Sequence, residues 1–342
     1  MSYSLLINKN WTEYFRPSKI DDILSHESIL DTLKKCISNK YLPHLLFYGS
    51  PGTGKTSTIL SCAKMLYGDM YDIMVLEINA SEERGIEMVR SKIKSFATTK
   101  IRFDNYIPFK LIILDEADSL TADAQGMLRL VIEKYTVNVR FCLICNYIKN
   151  INSAILSRCT LFKFKYIKPI YIKKKIDEII EKLKNQKIFI DIDESGYDFL
   201  IKIVNGDMRK LLNLFQLITM YKTGETNSFK INETIICDCI GYPSSQIISE
   251  INNILVGSKK ICEKYNIINN IIITNSYNLQ DIINELTEIL INILLKDISK
   301  LSMIANIIDQ FSKTELNLSV GATTGIQLTS IISIFIINKI LN

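Results

Sequence analysis

His44-Leu-Leu-Phe-Tyr-Gly49, followed without a break by Ser50-Pro-Gly-Thr-Gly-Lys55-Thr56, decides the reading of the whole chain. An apolar run of strand length gives way to G-x-x-x-x-G-K-[ST], and Thr53 to Met65 then carries a helical pattern. In that strand–loop–helix setting the glycines let backbone N–H groups turn inward on a triphosphate. The helix N-terminus adds positive potential, Lys55 reaches the outer phosphates, and Thr56 offers a hydroxyl to Mg²⁺. The expected phosphate cradle runs through Gly49, Ser50, Pro51, Gly52, Thr53, Gly54, Lys55, Thr56 and Ser57.

A second motif complements the first. Leu111-Ile-Ile-Leu-Asp115-Glu116 puts an acid pair at the end of a buried strand, Asp115 for the Mg²⁺ shell and Glu116 to polarise an attacking water. Together the motifs point to ATP hydrolysis at the strand ends of an open α/β sheet. Asp115-Glu-Ala-Asp118 also spells the acid box of one helicase family. Such helicases need a second α/β nucleotide-binding lobe, and the C-terminal half of this chain has a helical pattern.

The pattern extends outward from these motifs. HLLFYG, MVLEIN (74–79), FKLIILDEAD (109–118) and VRFCLICN (139–146) read as buried strands. Helical stretches Thr53–Met65, Ile86–Phe96 and Thr121–Glu133 separate them, which predicts a parallel sheet covered on both faces. From about Ile170 the strand signal fades. Ile172, Ile176, Ile179 and Leu183 recur at helical spacing, and Tyr197–Val204 forms a further helix stopped by Asn205-Gly206. Asp207 is the expected N-cap of a helix over Met208–Met220. Thr223 to Ser228 reads as a linker, and Asn232 to Asn342 as amphipathic helices, with Ile282, Ile283, Leu286, Ile289 and Leu290 setting the period. Three domains follow: an α/β nucleotide-binding domain (1–165), a small helical lid (166–228) and an all-helical C-terminal domain (229–342).

Composition sets the outer bounds. The chain has 342 residues, 47 % of them hydrophobic and 23 % charged, with 6 Pro and 13 Gly, which excludes a disordered or collagen-like chain. The apolar run Ile331 to Ile337 is far short of a membrane span, and MSYSLLINKN lacks the features of a signal peptide. A cytosolic or nuclear protein with no membrane partner is expected. The net charge of +5 permits an acidic partner without requiring one. Cys142 and Cys145 form a C-x-x-C inside the apolar FCLIC. No second such pair follows, and His26 and His44 are the only histidines, so buried free thiols are expected rather than zinc.

The first domain resembles the clamp-loader branch of the AAA+ ATPases, in the replication factor C small-subunit family. The likeness runs through Trp11-Thr-Glu-Tyr-Phe-Arg-Pro17, Leu42-Pro-His-Leu-Leu-Phe-Tyr-Gly49 and Asn79-Ala-Ser-Glu-Glu-Arg-Gly-Ile86. It continues in Arg140-Phe-Cys-Leu-Ile-Cys-Asn-Tyr147, Leu156-Ser-Arg-Cys-Thr160 and Gly206-Asp-Met-Arg209. Leu318-Ser-Val-Gly321 with Ile326-Gln-Leu328 carries it to the C-terminal region. The Ser-Arg-Cys box is the specific part.

The resemblance implies roles for single residues. Arg16 belongs to a segment closing over the nucleotide, Asn146 is a sensor near the γ-phosphate, and Arg209 is a second sensor reaching from the lid. Arg158 is an arginine finger acting in trans on a neighbour's ATP. Arg84, Arg90, Lys92 and Lys94, joined by Lys149, surround a helix that would track DNA phosphates, although the same residues suit a solvated face. Three departures stand out: Ser50 for a proline, Leu130 for the second arginine of A-L-R-R, and Leu161 for a basic residue. The last two fall near expected subunit interfaces.

The resulting expectation is a nuclear subunit of a five-membered clamp loader. It would bind ATP and Mg²⁺ and work with four other replication factor C subunits, a sliding clamp and primer–template DNA. The C-terminal helices would form a collar joining the subunits. An ATP-binding scaffold with negligible turnover and a branch-migration motor are the competing readings.

Overall fold

The computed structural model describes residues 9–82, 85, 87, 89–99, 108–185, 188–223 and 228–337. By internal contacts the chain divides into two compact units. One comprises Met1–Ile190 and Tyr197–Phe229, the other Asp191–Gly196 and Lys230–Asn342.

The first unit is built on five parallel strands: β1 (Leu45–Gly49), β2 (Val75–Asn79), β3 (Lys110–Asp115), β4 (Val139–Cys145) and β5 (Thr160–Phe164). Their order across the sheet is β2-β3-β4-β1-β5. Strands that are apolar along their whole length need cover on both faces, and each face has it. On one side Leu45, Phe47, Leu111, Ile113 and Ile144 pack with Leu30 and Leu33 of α1 (Glu27–Ser38) and Ile59, Cys62 and Ala63 of α2 (Lys55–Tyr67). On the other, Leu46, Ile112, Leu114, Phe141 and Leu143 meet Ala124, Leu128, Val131 and Ile132 of α3 (Ala122–Tyr135). Each Leu, Ile, Val or Phe among them contributes about 1.5–3 kcal/mol on burial.

Alternation along β4 also settles the C-x-x-C. Cys142 belongs to the first of these clusters and Cys145 to the second, because residues three apart in a strand face opposite ways. Both are buried free thiols, with burial pushing Cys145 up to about 12. His44 is equally structural: its Nδ1 accepts the Phe141 amide at 3.2 Å, and burial lowers its pKa to about 4.

Element boundaries differ from the sequence expectation in ways that have causes. The helix after the phosphate loop begins at Lys55 rather than Thr53, since Gly54 at φ +93° still belongs to the loop. Thr121 is outside α3 as its N-cap, accepting from the Ala124 amide. Of the expected helix Ile86–Phe96, the described part is helical over Val89–Ile93 and Lys94–Thr98. Strand β5 was not anticipated. It sits at the sheet edge, and its TLFKF pattern leaves only Phe164 fully buried, so it lacks the apolar continuity of the inner strands.

After β5 come α4 (Pro169–Lys184), β6 (Phe189–Ile192), α5 (Glu194–Val204), α6 (Met208–Thr223) and β7 (Ser228–Ile231). β6 and β7 pair as a separate two-stranded sheet that the helical reading of this region missed, since four residues are too few to show a period. Asn205 and Gly206 take positive φ of 45° and 80°, and Asp207 Oδ1 accepts the Arg209 and Lys210 amides as the N-cap of α6.

The second unit continues as α7 (Glu233–Ile240), α8 (Ser245–Val256), α9 (Ile261–Asn275), α10 (Leu279–Lys296), α11 (Leu301–Ser319) and α12 (Thr324–Ile337). Helical spacing wins over the strand preference of isoleucine: α10 buries Ile282, Ile283, Leu286 and Leu290 on one face. These join Ile248, Ile251, Ile304, Ile307, Phe311, Ile331 and Phe335 in one core. No helix among the described residues is long and apolar enough to cross a membrane.

Candidate nucleotide-binding site

The topology creates the site. β1 lies between β4 and β5, and the chain leaving it crosses to the far edge at β2, so a crevice opens at the strand C-termini. The loop after β1 therefore lies beside Asp115, which ends β3, and Asn146, which follows β4.

Lys55 is the centre of this crevice. Its side chain is 7 % exposed, and Nζ donates to Gly49 O at 2.8 Å, Ser50 O at 2.8 Å and Asn146 Oδ1 at 2.9 Å. Burial pushes the ammonium below its ordinary pKa, the nearby Asp115 carboxylate opposes this, and Arg209 adds to it. Next to it the Thr56 hydroxyl donates to Asp115 Oδ2 at 2.7 Å. Thr53 Oγ1 donates to Ser50 O, so the carbonyl of the residue that stands in for proline is the loop's internal acceptor.

Two glycines of the loop are required by contact. A Cβ on Gly49, at φ +136°, would lie 2.0 Å from Phe164 O of the neighbouring strand. A Cβ on Gly52, at φ +66°, would lie 1.6 Å from Asp207 Oδ1. Gly52 O accepts the Met208 amide at 3.0 Å. The Gly206-Asp-Met-Arg209 segment is thus pinned to the phosphate loop.

Glu116 is exposed and held in the left-handed region at φ +53°, an uncommon conformation for a glutamate. Its carbonyl accepts the Ser119 amide and its amide donates to Asp115 Oδ1 at 2.9 Å, closing the turn that ends β3. Asp118 has a different task from a helicase acid box. Its Oδ2 accepts the Asn146 and Tyr147 amides at 3.2 and 3.0 Å, setting the loop that aims Asn146 at Lys55.

The cleft is lined by Arg16, the loop from Pro51 to Ser57, Asp115, Glu116, Asn146 and Arg209. Phe15, Pro17, Ile23, Leu24, Ile167 and Leu212 make its apolar end. The N-terminal segment reaches it because Trp11, 1 % exposed, packs against Phe15 and Phe215, and Gln216 of α6 bonds the Trp11 amide and Lys9 carbonyl. Arg16 pairs with Glu13 at 2.8 Å. The sequence reading missed Lys175, which lines the cleft from α4 at 8 % exposure with Glu178 at 3.0 Å. Nothing in the run Lys173-Lys-Lys175 distinguishes it; only the helix phase does.

The other candidates lie outside the cleft lining. Arg158 is exposed, in the turn before β5. Arg90 and Lys94 are exposed on successive helical turns and Lys149 is exposed in the turn after β4. Arg84 lies outside the described residues.

A parallel sheet in this order, with a lysine-centred loop and a neighbouring acid strand, defines a nucleotide-binding P-loop ATPase of the AAA class. The model of the ATPase family associated with various cellular activities (AAA) matches residues 45–166, and that of the replication factor C C-terminal domain matches 242–333. The "probable replication factor C subunit 5" of Dictyostelium discoideum is 41 % identical over 329 residues, covering 96 % of this chain and 91 % of that protein. Replication factor C subunit 5 of Homo sapiens is 41 % identical over 336 residues, covering 97 % and 93 %. Subunit 3 of Schizosaccharomyces pombe is 41 % identical over 323 residues, covering 94 % and 89 %. Among solved structures, the Thermotoga maritima RuvB Holliday junction branch migration motor superposes with a TM-score of 0.52 at 15 % identity, over 75 % of this chain and 86 % of that one. That likeness is one of fold. The chain belongs to the replication factor C small-subunit family and is a clamp-loader ATPase subunit.

Gly52→Ala tests the packing of the loop on Asp207. Strain at φ +66° and the overlap with Oδ1 should weaken ATP binding and lower the melting temperature together. Calorimetric titration and thermal unfolding of the variant measure both; an unchanged pair of values contradicts the contact.

Proposed function

We propose that this chain binds Mg·ATP in the Lys55 cleft and hydrolyses it within an assembled loader that places a sliding clamp on primer–template DNA. The observation that carries this reading is the convergence of Lys55, Thr56, Asp115 and Asn146, with Arg209 on the rim. Lys55 exchanges its carbonyl and amide acceptors for phosphate oxygens, and Asn146 stays beside it to position the γ-phosphate and water. Arg209 and Arg16 approach the phosphates from α6 and the N-terminal segment. Glu116 orients and polarises the attacking water.

The Thr56 hydroxyl and Asp115 carboxylate are hard oxygen donors already in contact, which fits a Mg²⁺ site completed by phosphates and water. They would hold the ion, which neutralises charge on the outer phosphates when bound. Arg158 acts in trans: exposed and outside the cleft lining of its own subunit, it is available to a neighbour's ATP. Residues 166–228 serve as the lid and 229–342 as the collar. The partners are four other replication factor C subunits, and the working compartment is the nucleus. Two other readings, a scaffold with negligible turnover and a motor like RuvB, gain less support. Glu116 lines the cleft where a base is needed, and the likeness to RuvB is one of fold at 15 % identity.

Glu116→Gln should leave ATP affinity near the wild-type value and slow single-turnover hydrolysis in the assembled complex by roughly 10²–10⁴-fold. Turnover equal to the wild type's would assign the carboxylate no part in the chemistry, and negligible turnover in both proteins would favour the scaffold reading.

Neutralising Arg90, Lys94 and Lys149 together should weaken DNA binding of the complex at every sequence. Each lost phosphate contact should reduce the slope of log K against log salt by roughly 0.9. A wild-type slope would leave these three residues as a solvated face.

A further inference from the structure

Arg158 does not hang free on its surface. Its Nη2 lies 2.5 Å from Glu133 Oε1, and its Nη1 donates to Ala154 O at 2.7 Å and Ser157 Oγ at 3.3 Å. The backbone amide of Arg158 donates to Ile155 O at 3.0 Å, so the root of the side chain is fixed as well. Glu133 comes from α3, a different element, and reaches across to meet the guanidinium. The same Oε1 lies 3.7 Å from Nε of Arg129, a nitrogen shielded from solvent without a hydrogen-bond partner among the described residues.

One carboxylate thus faces two guanidiniums. Without it, Arg129 and Arg158 would repel each other across this short gap, and Arg158 would lose the contact that orients its plane. With it, the Nε–H and the second Nη2 hydrogen of Arg158 have no partner among the described residues and remain available to an incoming acceptor. An exposed ion pair contributes little to stability, and this one is about one third exposed on each side. Its consequence is geometric. A long arginine that must donate to a developing charge loses rotamer freedom when it does so, and holding it from behind removes part of that loss in advance. Leu130 and Leu161, 47 % and 44 % exposed, are three residues from Glu133 and Arg158 respectively.

We infer that Glu133 is a positioning residue for Arg158, holding the guanidinium in the orientation from which it reaches the neighbouring subunit's ATP. This rests on the trans role assigned to Arg158 above. It adds a residue that touches neither nucleotide, and it gives the retained Arg129 a part in the same cluster.

The test is single-turnover hydrolysis at the neighbour's site in the assembled complex, the remaining sites being silenced by substitution of their own phosphate-loop lysines. The variants are Glu133→Ala, Glu133→Gln, Glu133→Asp, Arg158→Ala and the double variant Glu133→Ala/Arg158→Ala. Glu133→Ala should lower the rate at that site roughly tenfold, well short of the roughly 10³–10⁵ expected for removal of the arginine itself. The ATP concentration giving half-maximal rate should not move. Glu133→Asp should recover part of the loss, and the double variant should be no slower than Arg158→Ala alone. Should Glu133→Ala fail to assemble, the near-isosteric Glu133→Gln carries the comparison, because it keeps the shape and removes the charge. A further loss when Glu133→Ala is added to Arg158→Ala would mean a structural role and overturn the inference. So would a damaging Arg158→Ala beside a wild-type Glu133→Ala and Glu133→Gln. A wild-type Arg158→Ala overturns the trans role itself, and the inference with it.

Discussion

A buried ammonium with three oxygen acceptors is the constraint on which the nucleotide site depends. Lys55 cannot be left in that crevice unpaired, because burying an isolated charge is costly. The fold answers with Gly49 O, Ser50 O and Asn146 Oδ1, drawn from the phosphate loop and from the loop after β4. To bring these together the sheet must place β1 beside β4, which its strand order does. Asn146 must in turn be aimed, which Asp118 achieves by accepting two consecutive amides. The loop must also be kept from spreading, and the Gly52–Asp207 approach ties it to the start of α6. Together these features hold the oxygen acceptors of Lys55 in place.

The phosphate loop and the acid strand were legible in sequence because each is a local pattern with one chemical reading. The three inner strands, β1, β3 and β4, were legible for a similar reason: burial on both faces makes them continuously apolar, and β2, at one edge, was legible from its shorter apolar run MVLEIN. β5 escaped because an edge strand needs no such continuity, and β6 and β7 escaped because four residues show no period. Asp118 was read as part of a competing motif, and only its distance to two amides shows that it shapes the Asn146 loop. Lys175 and Glu133 are harder still. Each is one charged residue among several on a helix, and its partner becomes apparent only when the phase of that helix and the elements beside it are known.

Fold and family give different kinds of information here. The superposition on RuvB at 15 % identity is a likeness of fold, and one fold can serve more than one machine. The relatives at 41 % identity along nearly the whole chain, and the C-terminal domain match over 242–333, decide between those machines. The fold positions a cleft, and in the proposed assembly the Ser-Arg-Cys box and the helical second unit would meet the neighbouring subunits. In that account the Arg158–Glu133–Arg129 cluster is the point at which one subunit's surface chemistry is organised for another subunit's nucleotide.

The central claim, that the Lys55 ammonium exchanges its protein acceptors for nucleotide phosphates, is tested most directly by ATP affinity of the isolated chain measured by titration calorimetry with and without Lys55→Met. Removing a charged donor from the phosphates should weaken binding by roughly 10- to 150-fold, while the methionine fills the space of the alkyl stem and the chain stays folded. An affinity equal to that of the wild type would contradict the account, because it would place the nucleotide's phosphates somewhere other than on Lys55.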